Sequence, residues 1–387
     1  MKKVVFVIRR LANAGTEQSL IKLINTIEGY DITIMLARED KTLLPNINKP
    51  VKIIELYEQG LGLNMGLYLK RSFKLTRMTK FLSMFSQLYN YIKLDKFEQL
   101  NQHLLSSYPI QEEHYDLAIA FDGGSRNTLT SFVIEKIHAQ KKIMWIQEDY
   151  SKVPEKEKIA GKKIFPKYDQ IFCVSEAAKQ IFIEIYPELE DKTEHFYPIL
   201  DRNEYIEKSK ESENIFYYDG LKILTVGRLE DEKGQERLPQ IVAKLKNENY
   251  EFKWFLIGEG QLRNKLEKDI KNLEIENHLI LLGKKSNPFP YYKQCDIYVQ
   301  PSKQEGYCIS MAEASIFKKP LIATNFITAN EFISHGFDGL IAENNSQSIY
   351  KNVKKIVDDE KLRMSFIENS GKKIVDTYSE MDKFYSL

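Results

Sequence analysis

The chain alternates short, almost unbroken apolar runs with longer stretches in which apolar residues recur at three- and four-residue spacing. In the first half the runs are Val4–Ile8, Ile32–Leu36, Val51–Leu56, Leu117–Phe121, Ile143–Ile146 and Gln170–Val174. Runs of this length, rich in β-branched and aromatic residues, predict strands buried on both faces, and the periodic stretches between them predict helical crossovers. The rhythm restarts after residue 220 with Ile223–Val226, Trp254–Ile257, Leu279–Leu282, Ile297–Val299, Leu321–Ala323 and Leu340–Ala342. Two such series predict an α/β protein of two doubly wound parallel sheets. Domains of this kind are expected to face each other across a cleft, with ligands outside the carboxyl ends of the strands.

The break between the series falls at Tyr197–Asp201 (YPILD) and the Lys- and Glu-rich stretch that follows it to Asp219. The expected boundaries are therefore a first domain over 1–198, a linker over 199–219 and a second domain over 220–370. A closing helix over 371–387 is expected to pack back on the first domain. A length of 387 residues suits two cores rather than one.

Composition narrows the function. Apolar residues make up 43% of the chain and charged residues 29%, a globular balance, and the net charge of +1 gives no support to nucleic-acid binding. Cys173, Cys295 and Cys308 are odd in number and far apart, as expected of buried thiols in a reducing compartment. The apolar run at the N-terminus is interrupted by Arg9 and Arg10, and no run of roughly 18 apolar residues occurs. The expected location is cytoplasmic, or peripheral on the inner face of the cell membrane. From Gln59 to Leu94 the chain has no acidic residue, while Lys70, Arg71, Lys74, Arg77, Lys80 and Lys93 supply positive charge. Residues 70–93 read either as an amphipathic surface for anionic lipid, at about 1 kcal/mol per basic side chain, or as a helix whose apolar stripe is core.

The richest stretch chemically is Glu305–Glu313, EGYCISMAE, which follows the buried run Asp296–Gln300 and a Pro-Ser loop and leads into an Ala-rich segment with helical composition. A strand, a glycine-containing loop and a helix N-terminus together offer free backbone N–H groups to anionic oxygens, and two carboxylates can grip hydroxyls on either side. After the first strand of the second domain comes Gly227–Gly234, GRLEDEKG, where Arg228 and Lys233 could meet a pyrophosphate. Alone, that pair is a weak signal, since Arg and Lys in a polar loop are usually just solvated. The Gly258-Glu259-Gly260 turn lacks the third glycine of a dinucleotide fingerprint and reads as a tight turn. At the start of the chain, Arg9–Glu17 (RRLANAGTE) is another strand-to-helix turn, in which Gly15 allows a phosphate to approach the backbone. The six histidines form no metal-binding spacing, and neither a nucleophile elbow, a Walker phosphate loop nor an Asp-x-Asp triplet occurs. The expected site holds no metal and no cofactor.

Taken together, GRLEDEKG, LIGEGQLR, and EGYCISMAE with the following PLIATN resemble family-four retaining glycosyltransferases of the GT-B fold, also grouped as glycosyltransferase group 1. The likeness covers nearly all of the second domain, and the first more loosely through RRLANAGTEQSL, KKIMWIQEDYSK and FCVSEAAK. It implies two Rossmann-like domains, the first for the acceptor and the second for a nucleotide-sugar co-substrate, with UDP-sugar the first candidate. Arg228 and Lys233 would hold the donor diphosphate, and Glu313 would accept from the ribose hydroxyls. Glu305 would face the transferred sugar, backbone amides of Gly306, Tyr307 and Cys308 would contact sugar or phosphate, and Gly15 would approach the phosphate from the other domain.

One position departs from the pattern: many relatives carry histidine where this chain has Gln147, in KKIMWIQEDY. Glutamine cannot titrate near neutral pH, so Gln147 can orient groups but cannot act as a general base. Glu148 and Asp149 could assist. The reading is a retaining, metal-independent hexosyltransferase that acts on a saccharide or lipid-linked acceptor in cell-surface polysaccharide synthesis. Two others stand beside it: a non-catalytic GT-B subunit supporting an active transferase or recognising an acceptor, and a sugar-nucleotide epimerase of the same fold.

Overall fold

A computed structural model describes residues 1–12, 14–56, 101, 105–106, 108–124, 128–211, 215–370 and 377–387. The basic segment 70–93 lies outside the described residues. The chain divides into two compact units, Met1–Ile199 with Ser379–Leu387, and Leu200–Tyr378.

The first unit is a seven-stranded parallel sheet in the order β3-β2-β1-β4-β5-β6-β7. Its strands are β1 (Lys2–Ile8), β2 (Tyr30–Leu36), β3 (Lys52–Glu55), β4 (Gln111–Gly123), β5 (Ile137–Ile146), β6 (Gln170–Cys173) and β7 (Thr193–His195). The apolar runs supply the buried centres: Val4 to Val7 in β1 and Ile143 to Ile146 in β5 are almost wholly inaccessible. Trp145 packs between Phe121, Phe172 and Phe196 with ring centroids 4.6–5.0 Å apart, joining three neighbouring strands and the segment after β7. The closing helix Glu380–Tyr385 belongs to this unit. Phe384 stacks on Phe6, and Lys383 donates to the His195 carbonyl at 2.9 Å and to Glu380 at 2.8 Å.

The second unit is a six-stranded parallel sheet in the order β10-β9-β8-β11-β12-β13. Its strands are β8 (Leu221–Val226), β9 (Phe252–Ile257), β10 (Leu279–Gly283), β11 (Ile297–Gln300), β12 (Leu321–Thr324) and β13 (Gly339–Ala342). Successive strand residues serve opposite faces. Ile223, Trp254 and Leu256 join one apolar cluster with Leu238 and Val353, while Leu224, Phe255 and Ile257 join another with Tyr292, Tyr298 and Met311. Of residues 199–219, read from composition as a linker, all but Ile199 belong to this unit and begin it. Asp201 caps the helix Arg202–Lys208 by accepting from the Glu204 N–H at 2.8 Å, and Tyr205 and Phe216 are buried in the second cluster.

In both sheets the strand order reverses beside the first strand, between β1 and β4 and between β8 and β11. In doubly wound sheets this switch point opens the crevice that receives ligands. Among the described residues no helix is long and apolar enough to cross a membrane.

Candidate active site

At the second switch point the loops after β8 and β11 are locked together. Gly234 has φ +69°, and a Cβ there would lie 2.0 Å from the Pro301 carbonyl oxygen, so only glycine lets the turn Asp231–Lys233 pass so near the other loop. Lys303 tightens the contact. Its N–H donates to the Glu232 carbonyl at 2.8 Å, and its ammonium meets Asp231 at 2.7 Å and Glu236 at 2.9 Å.

The result places the Lys233 ammonium 2.8 Å from both carboxylate oxygens of Glu305. The Lys233 side chain is 19% exposed and that of Glu305 7%, so water screens the pair little. Burial pulls the ammonium down, but the charge and hydrogen bonds of Glu305 outweigh it and hold Lys233 above its ordinary value. The carboxylate is fixed from behind. Ser302 donates to its Oε1 at 2.7 Å, Gln300 Nε2 donates to Ser302 Oγ at 2.7 Å, and Tyr298 and Ser310 donate to Gln300 Oε1 at 2.5 and 3.2 Å. This chain of donors points one way, towards the charge, and each bond polarises the next.

Between Glu305 and the helix Ile309–Ile316 the backbone is strained. Cys308, the residue before the helix, sits at φ +70° and ψ +70° although it carries a buried side chain. The Cys308 side chain makes no cap hydrogen bond to this helix, and the Met311 and Ala312 amides donate to the Cys308 carbonyl at 3.1 Å each. Burial pushes the Cys308 thiol well above its ordinary value, with Glu305 adding to the effect, so the sulfur stays protonated. Tyr307 packs on Phe332, and the Thr328 hydroxyl lies 3.3 Å from its carbonyl. Gly306 lies between Glu305 and Tyr307 in the same loop.

The other expected residues are held differently. Glu313 accepts from the buried Tyr292 hydroxyl at 2.9 Å, which fixes one oxygen. Arg228 is half-exposed and pairs with Glu232 at 2.8 Å, while its carbonyl accepts from Gln235 at 2.8 Å. The turn Gly258–Gly260 serves packing. Cβ atoms there would lie 1.9 Å from the Gly227 carbonyl oxygen and 2.4 Å from that of Leu229, so the glycines let the β9 exit press on the GRL backbone.

In the first unit Gly15 opens the helix Gly15–Thr26, which also lacks a side-chain cap. Gln147 donates from Nε2 to the Phe121 carbonyl at 3.1 Å. Asp149 is buried and caps the following turn by accepting from the Ser151 N–H at 2.9 Å. Burial, with the charges of Asp122, Glu157 and Asp149, pushes the Glu148 carboxyl up to about 7 against the pull of Arg9, although its side chain still reaches solvent. Among the described residues no cluster of His, Cys, Asp or Glu could hold a metal ion.

Sequence reasoning brought Lys233 and Glu305 into one site but missed Gln300, Ser302 and Tyr292. The available signal was a glutamine closing an otherwise apolar strand and a serine directly after proline.

Both sheets and their order are those of a GT-B protein. The whole chain superposes on HepE from Anabaena, solved in complex with UDP, with a TM-score of 0.71 and 17% identity, covering 100% of each chain. Residues 206–373 match the family model for glycosyl transferases group 1. Among curated proteins the chain is 27% identical over 226 residues to the N-acetylgalactosamine-N,N'-diacetylbacillosaminyl-diphospho-undecaprenol 4-alpha-N-acetylgalactosaminyltransferase of Campylobacter jejuni, covering 58% of this chain and 60% of the relative. It is 28% identical over 182 residues to the capsular polysaccharide biosynthesis glycosyltransferase CapM of Staphylococcus aureus, covering 46% and 47%. The chain thus spans about half the length of these curated relatives.

Proposed function

We propose that this protein is a retaining glycosyltransferase that moves a sugar from a nucleotide diphosphate donor, UDP-sugar first, to a hydroxyl of a lipid-linked saccharide in cell-surface polysaccharide synthesis. The observation that carries the reading is the Lys233–Glu305 pair, set beside an uncapped helix N-terminus at the switch point of the second sheet. The likeness of relatives named for undecaprenol-linked and capsular substrates supports the choice of acceptor.

In the proposed reaction the donor diphosphate lies against Arg228, Lys233 and the amides after Cys308. Two of the three ammonium protons of Lys233 face Glu305, which leaves one for a phosphate oxygen. Glu313, steadied by Tyr292, accepts from ribose hydroxyls. Glu305 faces the sugar, where a fixed negative charge stabilises positive charge developing at the anomeric carbon. The bond from that carbon to the diphosphate breaks, the acceptor oxygen bonds on the same face, and the acceptor proton passes to the departing phosphate oxygen. No protein base is required, which accommodates glutamine at 147; Gln147 and Asp149 are assigned to orienting the acceptor side. No metal is required either, since Arg228 and Lys233 neutralise the leaving group.

The test is a panel of nucleotide sugars incubated with and without lipid-linked acceptors and scored for nucleotide release and glycosylated product. Product that requires the acceptor and retains anomeric configuration supports the reading. Turnover without any acceptor would overturn it.

A further inference from the structure

The first unit carries at its own switch point a group of cations that the donor reading does not use. Strands β1 and β2 end in register at Ile8 and Leu36. Beyond them the two segments stay joined, with the Ala37 N–H donating to the Ile8 carbonyl at 3.2 Å and the Leu11 N–H donating to the Asp40 carbonyl at 2.8 Å. These bonds bracket Arg9 and Arg10 on one segment and Arg38 and Glu39 on the other.

Several nearby carboxylates are already engaged. Asp122, near the end of β4, meets Arg9 Nη2 at 3.3 Å, and Glu17 meets Arg10 Nε at 3.6 Å. Asp40 accepts from the Thr42 amide and hydroxyl at 3.1 and 2.7 Å. Arg38 differs: its Nε–H is buried and has no acceptor among the described residues. Burial first, and then the charges of Arg9 and Arg10, hold its guanidinium below its ordinary value against the pull of Asp122. Glu148, after β5, is pushed towards its neutral form and so compensates less of this charge. A buried donor without a partner is costly, and like charges raise the cost, unless an anion completes the group. Forked guanidinium donors at the carboxyl ends of parallel strands suit the oxygens of a phosphate.

We propose that Arg9, Arg10 and Arg38 form a clamp for a phosphate or diphosphate group borne by the acceptor. Assigning the anion to the acceptor rests on the glycosyltransferase reading, in which Arg228, Lys233 and the helix after Cys308 already serve the donor diphosphate. The anion clamp itself does not depend on that reading.

The full-length wild type, Arg38→Gln and Arg38→Lys are titrated calorimetrically with UDP, and then, with UDP kept saturating, with inorganic pyrophosphate and with farnesyl diphosphate. Pyrophosphate and farnesyl diphosphate should bind the wild type, weaken about tenfold to a hundredfold in Arg38→Gln and less in Arg38→Lys, while UDP affinity stays unchanged. The unliganded melting temperature of Arg38→Gln should not fall below that of the wild type, since the change removes an unpaired donor and a like charge. Equal pyrophosphate affinity in wild type and Arg38→Gln would overturn the clamp. An equal loss of UDP binding would overturn the acceptor assignment and give the clamp to the donor. Absence of UDP binding to the wild type would sink the donor reading, and the pyrophosphate comparison would still decide the clamp.

Discussion

Lys233 donates from one ammonium to both oxygens of Glu305, at 2.8 Å each, across the loops that leave β8 and β11. Each charge is largely withdrawn from water and compensated by the other, so removing either strands its partner. Lys233→Ala should destabilise the protein by about 3 kcal/mol in urea titration, and the Lys233→Ala/Glu305→Ala double variant by much less than the sum of the two single changes. Both single variants should lose turnover. Wild-type activity in both, with folding preserved, would remove them from the site.

Ser302 and Gln300 should matter for rate more than for nucleotide binding. Ser302→Ala deletes a hydrogen bond to a charged group, worth about 1.5–3 kcal/mol, and Gln300→Leu leaves Ser302 without its orienting donor. Both should lower kcat by about tenfold or more with a smaller effect on KM for the donor, as read from steady-state kinetics. A change confined to KM would count against a positioning role.

Gly234→Ala should be disproportionately harmful for a single methyl. The added carbon would fall on the Pro301 carbonyl in a backbone conformation that disfavours alanine, so the expected loss is about 2 kcal/mol or more in chemical denaturation. Retention of full stability and donor affinity would mean that the two loops separate easily.

The raised Glu148 carboxyl gives a signed pH dependence. The folded protein holds its proton up to about 7, whereas the unfolded chain releases it near the ordinary value of 4.5. This group therefore contributes stability at low pH that is lost as pH rises from 4.5 through about 7. Solvent contact screens part of the effect. Melting temperatures of Glu148→Gln measured across that range should show a flatter profile than the wild type and a higher value at neutral pH. Parallel profiles would place the titration elsewhere.

Much of this architecture was legible because it rests on burial. All twelve apolar runs lie in or overlap strands, since a strand covered on both faces must be apolar along its length. β7 escaped because all three of its residues, Thr193, Glu194 and His195, are polar. The early halves of β4 and β5, QEEHY and IHAQK, escaped for a similar reason: only Gln111, Tyr115 and Ile137 are buried there, and the other residues are exposed or half-buried and mostly polar. The segment after Ile199 looked like a linker because charged residues are scattered along it, while the buried side is marked only by the widely spaced Tyr205 and Phe216, with Leu200, Ile206, Ile215 and Tyr218 packed against the same cluster. Within the site, residue types and spacing suggested which loops matter. They could not show that Lys233 spends two donors on Glu305, because that depends on how closely two loops carrying residues 72 positions apart are pressed together.

That closeness constrains how such a site can be re-engineered. With the Pro301 carbonyl occupying the place of a side chain on Gly234, and Lys303 tying both loops, the GRLEDEKG and PSKQEGYC segments form one exchangeable cassette rather than two. A graft meant to change the donor sugar should transplant both segments together. A single-loop chimera would inherit a mismatched seam at Gly234 before any question of specificity arose.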